Sequence, residues 1–212
     1  VLVSLFCGAC SVESALANSF DFVICNDINT YLIELLRAVQ GGFIPPETVT
    51  REEYKYIREH PDENKALTAF CGFGCSFGGK WFGGYANDNN GRNYAREAKE
   101  SLLKDMASLR DATFSCMDYR DVSLPEGCVI YADPPYAGTT QYRNGVFDTR
   151  AFWDYAIKTS QNHMMFISEQ TAPDDFVVVW EKGVKRTLDF NKENQPQATE
   201  KLFIHKKYMH NL

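Results

Sequence analysis

No stretch of this chain is apolar for long enough to cross a bilayer: apolar runs such as residues 176–180 and 164–167 fall far short of the ~20 residues a spanning helix needs. Nor is there an excess of positive charge. With 22 Lys and Arg against 28 Asp and Glu the formal charge is −6, which argues against indiscriminate nucleic-acid binding and leaves room for a local basic face. Metal-ligand groupings are incomplete. Cys7 with Cys10 is a C-x-x-C and Cys71 with Cys75 a wider pair, readable as redox pairs or as half of a zinc site. No second C-x-x-C and no His-x-His group completes a tetrahedral set, so no metal is expected. The seven cysteines are odd in number and sit mostly beside apolar residues, the habit of buried thiols in a reducing cytoplasm. A basic start followed by an apolar stretch is also missing, so no export leader is expected, while the absent initiator Met leads us to expect residues upstream of Val1. No internal repeat is visible.

What is present fits one packed domain with a small insertion: 212 residues, 44% hydrophobic and 24% charged. Residues 1–6 are β-rich and end in a small-residue turn at Cys7-Gly8-Ala9-Cys10-Ser11, after which Val12, Ala15 and Leu16 recur at helical spacing. Residues 22–25 read as a second strand, closed by Asn26-Asp27, and Ile28, Leu32, Leu35 and Leu36 mark a second helix. This β-α-β-α order calls for a parallel sheet with helical crossovers. The rhythm breaks over residues 41–110, which hold a Pro pair, a polar helix at 52–59, a Gly- and aromatic-rich stretch at 70–85 and a helical stripe at 94–109. It resumes with strands at 113–117, 128–132 and 164–168 and a helix at 150–158. Two β runs at 176–181 and 201–205 read as an antiparallel pair at a sheet edge. The expected division is therefore a catalytic domain of residues 1–40 and 111–212 and an inserted lobe of 41–110.

The strongest signal is a buried strand running into Asp133-Pro134-Pro135-Tyr136, at the carboxyl end where open α/β sheets place their ligands. A plain Asx-Pro turn would account for the Asp and the prolines alone. A specific chemistry accounts for all four residues. An exocyclic ring amine such as adenine N6 has its lone pair delocalised, and two acceptors aimed at its N–H groups draw that pair out of conjugation. The Asp133 carboxylate and the Pro134 carbonyl can be those acceptors, with φ locked by the successive prolines. Tyr136 offers a flat face to a base that has left its stack.

These residues resemble the alpha-class, Dam-type adenine-N6 DNA methyltransferases, in particular their phage-encoded members. The likeness runs over nearly the whole chain and rests on Leu5-Phe6-Cys7-Gly8-Ala9-Cys10-Ser11-Val12, Asn26-Asp27-Ile28-Asn29, Met117-Asp118-Tyr119 and Asp133-Pro134-Pro135-Tyr136. Further support comes from Ser76-Phe77-Gly78-Gly79-Lys80-Trp81-Phe82-Gly83-Gly84-Tyr85 and from Ser168-Glu169-Gln170 with Ala172-Pro173-Asp174-Asp175-Phe176. The resemblance implies an α/β, Rossmann-like, mainly parallel methyltransferase sheet with an inserted helical target-recognition lobe. It implies S-adenosylmethionine as cofactor, lying across the strand tips at Phe6, Cys7, Gly8, Asp27, Asp118, Tyr119 and Asp133. Asp27 would accept from the ribose hydroxyls, Asp118 would meet the cofactor's adenine amine, and the Gly turn would face the methionine carboxylate. By themselves Asp27 reads equally as a helix N-cap and Asp118 as a solvated turn acid.

The implied partner is double-stranded DNA, the implied unit a monomer, and the implied setting the cytoplasm of a bacterium or phage-infected cell, where restriction-modification is one role. Lys80, Arg92, Arg96, Lys99, Tyr142 and Arg143 are the candidate nucleic-acid contacts. Those on the helix also read as a solvated, ion-paired face, and Phe77, Trp81, Phe82 and Tyr85 read either as DNA wedges or as the small core of the lobe. Two positions depart from the family, which usually has an acid at Ser4 and a Gly at Cys10, and a Gly-Lys motif ahead of the first strand has no counterpart here. Ser4 removes a charge that would face the cofactor's ammonium, and a side chain at Cys10 is expected to crowd a turn built for close backbone approach. Two competing readings stand beside this one: a degenerate relative that binds DNA without methylating it, and methylation of another planar amine such as cytosine N4, RNA or a protein glutamine.

Overall fold

The computed structural model describes residues 1–87, 91–135, 147–184 and 198–211. In chain order the elements are β1 (Leu2–Ser4), α1 (Ser11–Leu16), β2 (Val23–Asn26), α2 (Thr30–Gln40), α3 (Arg51–Glu59), α4 (Lys65–Ala69), α5 (Tyr94–Ala107), β3 (Thr113–Ser115), β4 (Val129–Ala132), α6 (Thr149–Thr159), β5 (Met164–Glu169), β6 (Phe176–Val184) and β7 (Ala198–His205). They fall into two compact units, a first of Val1–Phe6 with Arg120–Leu212 and a second of Cys7–Tyr119.

In the first unit β1, β4 and β5 run parallel, and β7 is antiparallel to both β5 and β6, giving the order β1-β4-β5-β7-β6. The alternation along β5 explains its place: Met165 and Ile167 are fully buried while Met164, Phe166 and Ser168 are half-buried, the period-two pattern of a strand packed on one face. Asp148 starts α6 by accepting from Ala151 N–H at 2.9 Å. The helix buries Phe152, Trp153 and Ala156, with the Trp153 ring 5.1 Å from that of Phe176. The tail is the antiparallel pair the sequence implied, lengthened at both strands and bulged at Val178/Trp180.

In the second unit β2 and β3 pair in parallel, Asn26 opposite Ser115. Asn29 caps α2, which buries Ile33, Leu35 and Leu36. At its far end Gln40 Nε2 donates to the carbonyls of Leu109, Arg110 and Ala112, which ties α2 to the chain entering β3. Residues 41–110 lie between β2 and β3 and contribute α3, α4 and α5; among the described residues their β pairing is the isolated bridge Ser76–Tyr85. Helix α3 begins at a capping box in which Glu53 N–H donates to Thr50 Oγ1 and Thr50 N–H to Glu53 Oε2, at 3.1 and 2.7 Å. The lobe's core joins Val49, Tyr54, Ala69, Phe70, Cys71, Cys75 and Ala95 to Leu35 of α2, so lobe and α2 share one apolar cluster. The parallel ladders β1-β4-β5 and β2-β3, the antiparallel β5-β7-β6 edge and the helices between strands are the mixed, mainly parallel architecture the resemblance implied.

Candidate active site

The second unit carries the Gly turn and the acid of β2. Cys7 N–H donates to Asn26 carbonyl at 2.8 Å, and Gly8, at φ +50°, donates its N–H to Asp27 Oδ2 at 3.1 Å. Asp27 Oδ1 accepts from Asn29 N–H at 2.9 Å, so this one carboxylate holds the Gly turn and the start of α2 together. Burial pushes the Asp27 pKa above the ordinary carboxylate value, opposed by the N–H groups of Asn29, Gly8 and Ile28. Asn26 is fully buried; its Nδ2 donates to Met117 carbonyl at 3.0 Å while its Oδ1 accepts from Ser115 Oγ and Met117 N–H. That side chain stitches the tips of β2 and β3 and fixes where Asp118 begins.

Just past those tips Ile28 and Met117 are 49% and 39% exposed. Two open apolar side chains next to Asp27 and the half-buried Asp118 are suited to a flat, hydroxyl-bearing ligand. Asn26, Ile28 and Met117 stand out in the structure and not in the sequence. The available signal was an amide at the end of an apolar strand, and apolar residues beside acids at two turn positions.

Cys10 differs from the expectation that its side chain would crowd the turn. It adopts φ +61° as N-cap of α1 and is fully buried, so the side chain points inward. A left-handed non-Gly residue costs roughly 1–2 kcal/mol. Inside, it meets Cys7 and Cys25; hydrogen bonds with Cys10 and Cys25, together with burial, push the Cys7 thiol up, and the hydrogen bond with Cys25 and burial push the Cys10 thiol up against the opposing effect of Cys7. All seven cysteines are free thiols, and Cys116, half-buried at the end of β3 with its Sγ 3.5 Å from Thr30 Oγ1, is the most open of them. A thiol-alkylating reagent is therefore expected to modify Cys116 first under native conditions. Peptide mapping of the labelled protein checks this, and early labelling of Cys7 or Cys10 would contradict the packing described.

The first unit carries the acid-proline motif. Asp133 is exposed immediately beyond β4, Pro134 is buried and Pro135 half-buried. Ala132 pairs with Ile167, which brings Asp133 level with Ser168 at the carboxyl ends of parallel strands. One residue on, Glu169 is buried and its Oε1 accepts Gln170 N–H at 2.7 Å. Phe6 at the end of β1 packs edge-on against Phe147 and Phe152, both ring pairs at 5.7 Å. Ser4 is fully buried within β1, opposite Tyr131. Tyr119, in the second unit, is also buried. Tyr136, Tyr142 and Arg143 lie outside the described residues.

The candidate DNA contacts divide into two groups. Arg92 is gripped by Glu97, its Nε 2.9 and 2.8 Å from the two carboxylate oxygens, and lies 4.7 Å above the Tyr94 ring. Lys99 donates to Glu47 at 3.1 Å. Lys80 and Arg96 are exposed. Of the lobe aromatics, Trp81 packs on Tyr31, Phe73 and Phe82, and Tyr54 packs on Phe82 and Tyr85, forming the small core that was one of the two readings.

The sequence profile of the D12 class N6 adenine-specific DNA methyltransferases matches residues 1–68 and 80–196. This chain belongs to that family. No curated protein sequence matches this D12 class methyltransferase significantly. Among solved structures it is similar to the candidate methylase HI0767 of Haemophilus influenzae, at 10% identity and a TM-score of 0.41, over 96% of this chain and 85% of that one. It is also similar to the tRNA (m1A58) methyltransferase TrmI of Aquifex aeolicus, at 10% identity and a TM-score of 0.40, over 96% of this chain and 61% of that one. Among the described residues no helix of the D12 class chain is long and apolar enough to cross a membrane.

Proposed function

We propose that this methyltransferase moves the methyl group of S-adenosylmethionine to N6 of an adenine turned out of duplex DNA, as a Dam-type enzyme of the phage-encoded branch. The observation that carries the reading is Asp133-Pro134-Pro135 at the carboxyl end of β4, with the acid exposed and the first proline buried, in a chain of the D12 class. The residues fit the cofactor. Asp27 has lone pairs left for ribose hydroxyls beyond the backbone N–H groups it already accepts, Ile28 and Met117 suit the faces of a purine, and Asp118 suits its amine. When bound, S-adenosylmethionine supplies an electrophilic methyl on a sulfonium.

Asp133 and the Pro134 carbonyl then accept from the two N6–H groups and draw the lone pair toward the methyl. Prolines hold φ fixed, so the acceptors need little rearrangement as the amine pyramidalises. No strong base is required, since the N6 proton turns acidic only once methyl transfer is under way. Tyr136 supplies the stacking face. Lys80 and Arg96 are the lobe cations for phosphate; Arg92 and Lys99 are held by Glu97 and Glu47 and serve chiefly to shape the lobe. Against the reading of a degenerate binder stands the burial of the Cys10 side chain, which takes it off the outer face of the Gly turn.

Titration calorimetry tests the cofactor half. Asp27→Ala is expected to weaken S-adenosylmethionine by about 1 to 3 kcal/mol, the range for leaving buried polar partners unpaired. Because burial raises the Asp27 pKa, wild-type affinity should start to fall on acidification at a higher pH than an ordinary carboxylate would give, and Asp27→Asn should lose that dependence. Equal affinity for wild type and Asp27→Ala would contradict the assignment. A methyl-transfer assay across DNA, RNA and glutamine peptides tests the substrate half, with label expected in DNA.

A further inference from the structure

We propose that Cys7 and Cys10 form a disulfide when the protein meets a hydroperoxide, and that this bond weakens the grip of the Gly turn on its cofactor; the second half rests on the function proposed above. Three thiols that methyl transfer does not use, those of Cys7, Cys10 and Cys25, lie together beneath the turn and hydrogen-bond with one another. Two come from the C-x-x-C after β1 and the third from β2. All three, with Gly8 and Asp27, belong to the second compact unit, so the device is complete within it.

The backbone already holds Cys7 and Cys10 in bonding range. Cys10 N–H donates to Cys7 carbonyl at 2.8 Å, closing a four-residue turn, and the ends of such a turn have Cα atoms less than about 7 Å apart. Disulfides span roughly 4.4 to 6.8 Å between Cα atoms. Cys25 is less free to join such a bond, because the ladder that sets it opposite Phe114 of β3 fixes its backbone. Burial ranks the three in the same sense: Cys7 is 5% exposed, Cys10 and Cys25 0%. Outside Cys7 the cover is thin. Gly8 is half-buried and Ala9 exposed, and among the described residues a Cβ at Gly8 would meet nothing within 4 Å. A peroxide little larger than water passes such a turn where a bulky alkylating reagent does not, which agrees with Cys116 being the first thiol to be alkylated.

The oxidation balances with the peroxide as oxidant. The Cys7 sulfur attacks one peroxide oxygen, the O–O bond breaks, and the thiol proton leaves with the departing hydroxide as water, giving a sulfenic acid on Cys7. The Cys10 sulfur then displaces that hydroxyl. The S–S bond forms, the Cys10 proton leaves in a second water, and two electrons have passed from the sulfurs to the peroxide. Cys25 relays the first proton: hydrogen bonds from Cys10 and Cys7 hold its thiol below the ordinary value against burial, so it can accept what Cys7 must lose.

Bonded sulfurs lie about 2.0 Å apart, well inside hydrogen-bond contact, so the turn has to tighten. Cys7 N–H is tied to Asn26 carbonyl at 2.8 Å, which passes the change on to residues 8–10. There Gly8, at φ +50°, donates to Asp27 Oδ2 at 3.1 Å, and Cys10, at φ +61°, opens α1. Displacing them disturbs the carboxylate and the backbone N–H groups that receive the cofactor.

The experiment uses the full chain as wild type, Cys10→Gly and Cys10→Ser, each reduced or treated with hydrogen peroxide. Glycine suits the left-handed position, and serine keeps the side-chain shape should the glycine variant not fold. Peptide mass mapping should find the Cys7–Cys10 segment of the treated wild type lighter by two hydrogens. Titration calorimetry should find S-adenosylmethionine bound roughly tenfold more weakly, within the usual range for coupled sites, with dithiothreitol restoring both. The treated variants should bind as their reduced forms do. An equal loss in the variants would place the sensitivity at another thiol, such as Cys116, and overturn the proposal. A disulfide through Cys25, no disulfide at a peroxide level that oxidises Cys116, or a Cys7–Cys10 bond that leaves affinity unchanged would also overturn it, and the methylation reading would survive each. A reduced wild type that does not bind S-adenosylmethionine overturns that reading, and the control of affinity with it.

Discussion

Asp133→Ala is expected to fold normally and to lose less in S-adenosylmethionine affinity than in turnover, with methyl transfer roughly 10²- to 10³-fold slower, the range for removing one preorganised polar group aimed at a transition state. Asp133 is exposed, so its removal leaves no hole in the sheet. The acceptor is used most as N6 pyramidalises, which places the loss in turnover and less in binding. Asp133→Asn keeps an oxygen acceptor without the charge and should fall between the two. Single-turnover rates on an adenine-containing duplex decide it; a near-normal rate for Asp133→Ala would remove the role assigned to the motif.

The second large effect is structural and reaches the cofactor. Phe70 is among the largest fully buried side chains, in the cluster that joins the lobe to Leu35 of α2. Phe70→Ala should therefore destabilise by about 3 to 5 kcal/mol through lost transfer energy and an incompletely relaxed cavity. Since α2 follows directly from Asp27 and Asn29, the damage should not stay within the lobe. Hydrogen exchange is expected to show α2 amides losing protection together with those of α4. Protection lost in α4 while α2 remains as in the wild type would show the lobe to be an independent folding unit.

Both predictions draw on features that differ in how far the chain announces them. The strand-turn-helix order at the start and the acid-proline motif after β4 are legible because a short apolar run ends at each place in turn residues that have few other uses. The inward turn of Cys10 is not legible. A non-Gly residue at a glycine position reads as a clash, and only the pocket made by Cys7 and Cys25 shows where its side chain goes. Charge partners are hidden for a related reason. Lys99 meets Glu47 from 52 positions away, and Arg92 reaches Glu97 from just ahead of α5, outside the usual helical spacings.

The aromatic-rich stretch shows the same limit within a few residues. Sequence alone leaves Phe77, Trp81, Phe82 and Tyr85 as core or wedge alike, because glycines erase the periodicity that would assign faces. In the structure a π-helical turn at Phe70–Gly74 and the Ser76–Tyr85 bridge separate them, three inward and Phe77 outward. Asn26 carries no sequence signal of its own, because a buried amide is informative only once its partners, Ser115 and Met117, are adjacent.

The most direct test of the central claim is nucleoside analysis of duplex DNA after incubation with the purified protein and S-adenosylmethionine carrying a labelled methyl group. The account predicts label in N6-methyladenine with the wild type and nearly none with Asp133→Ala under the same conditions. Label in N4-methylcytosine, or an equal yield of N6-methyladenine from both proteins, would contradict it.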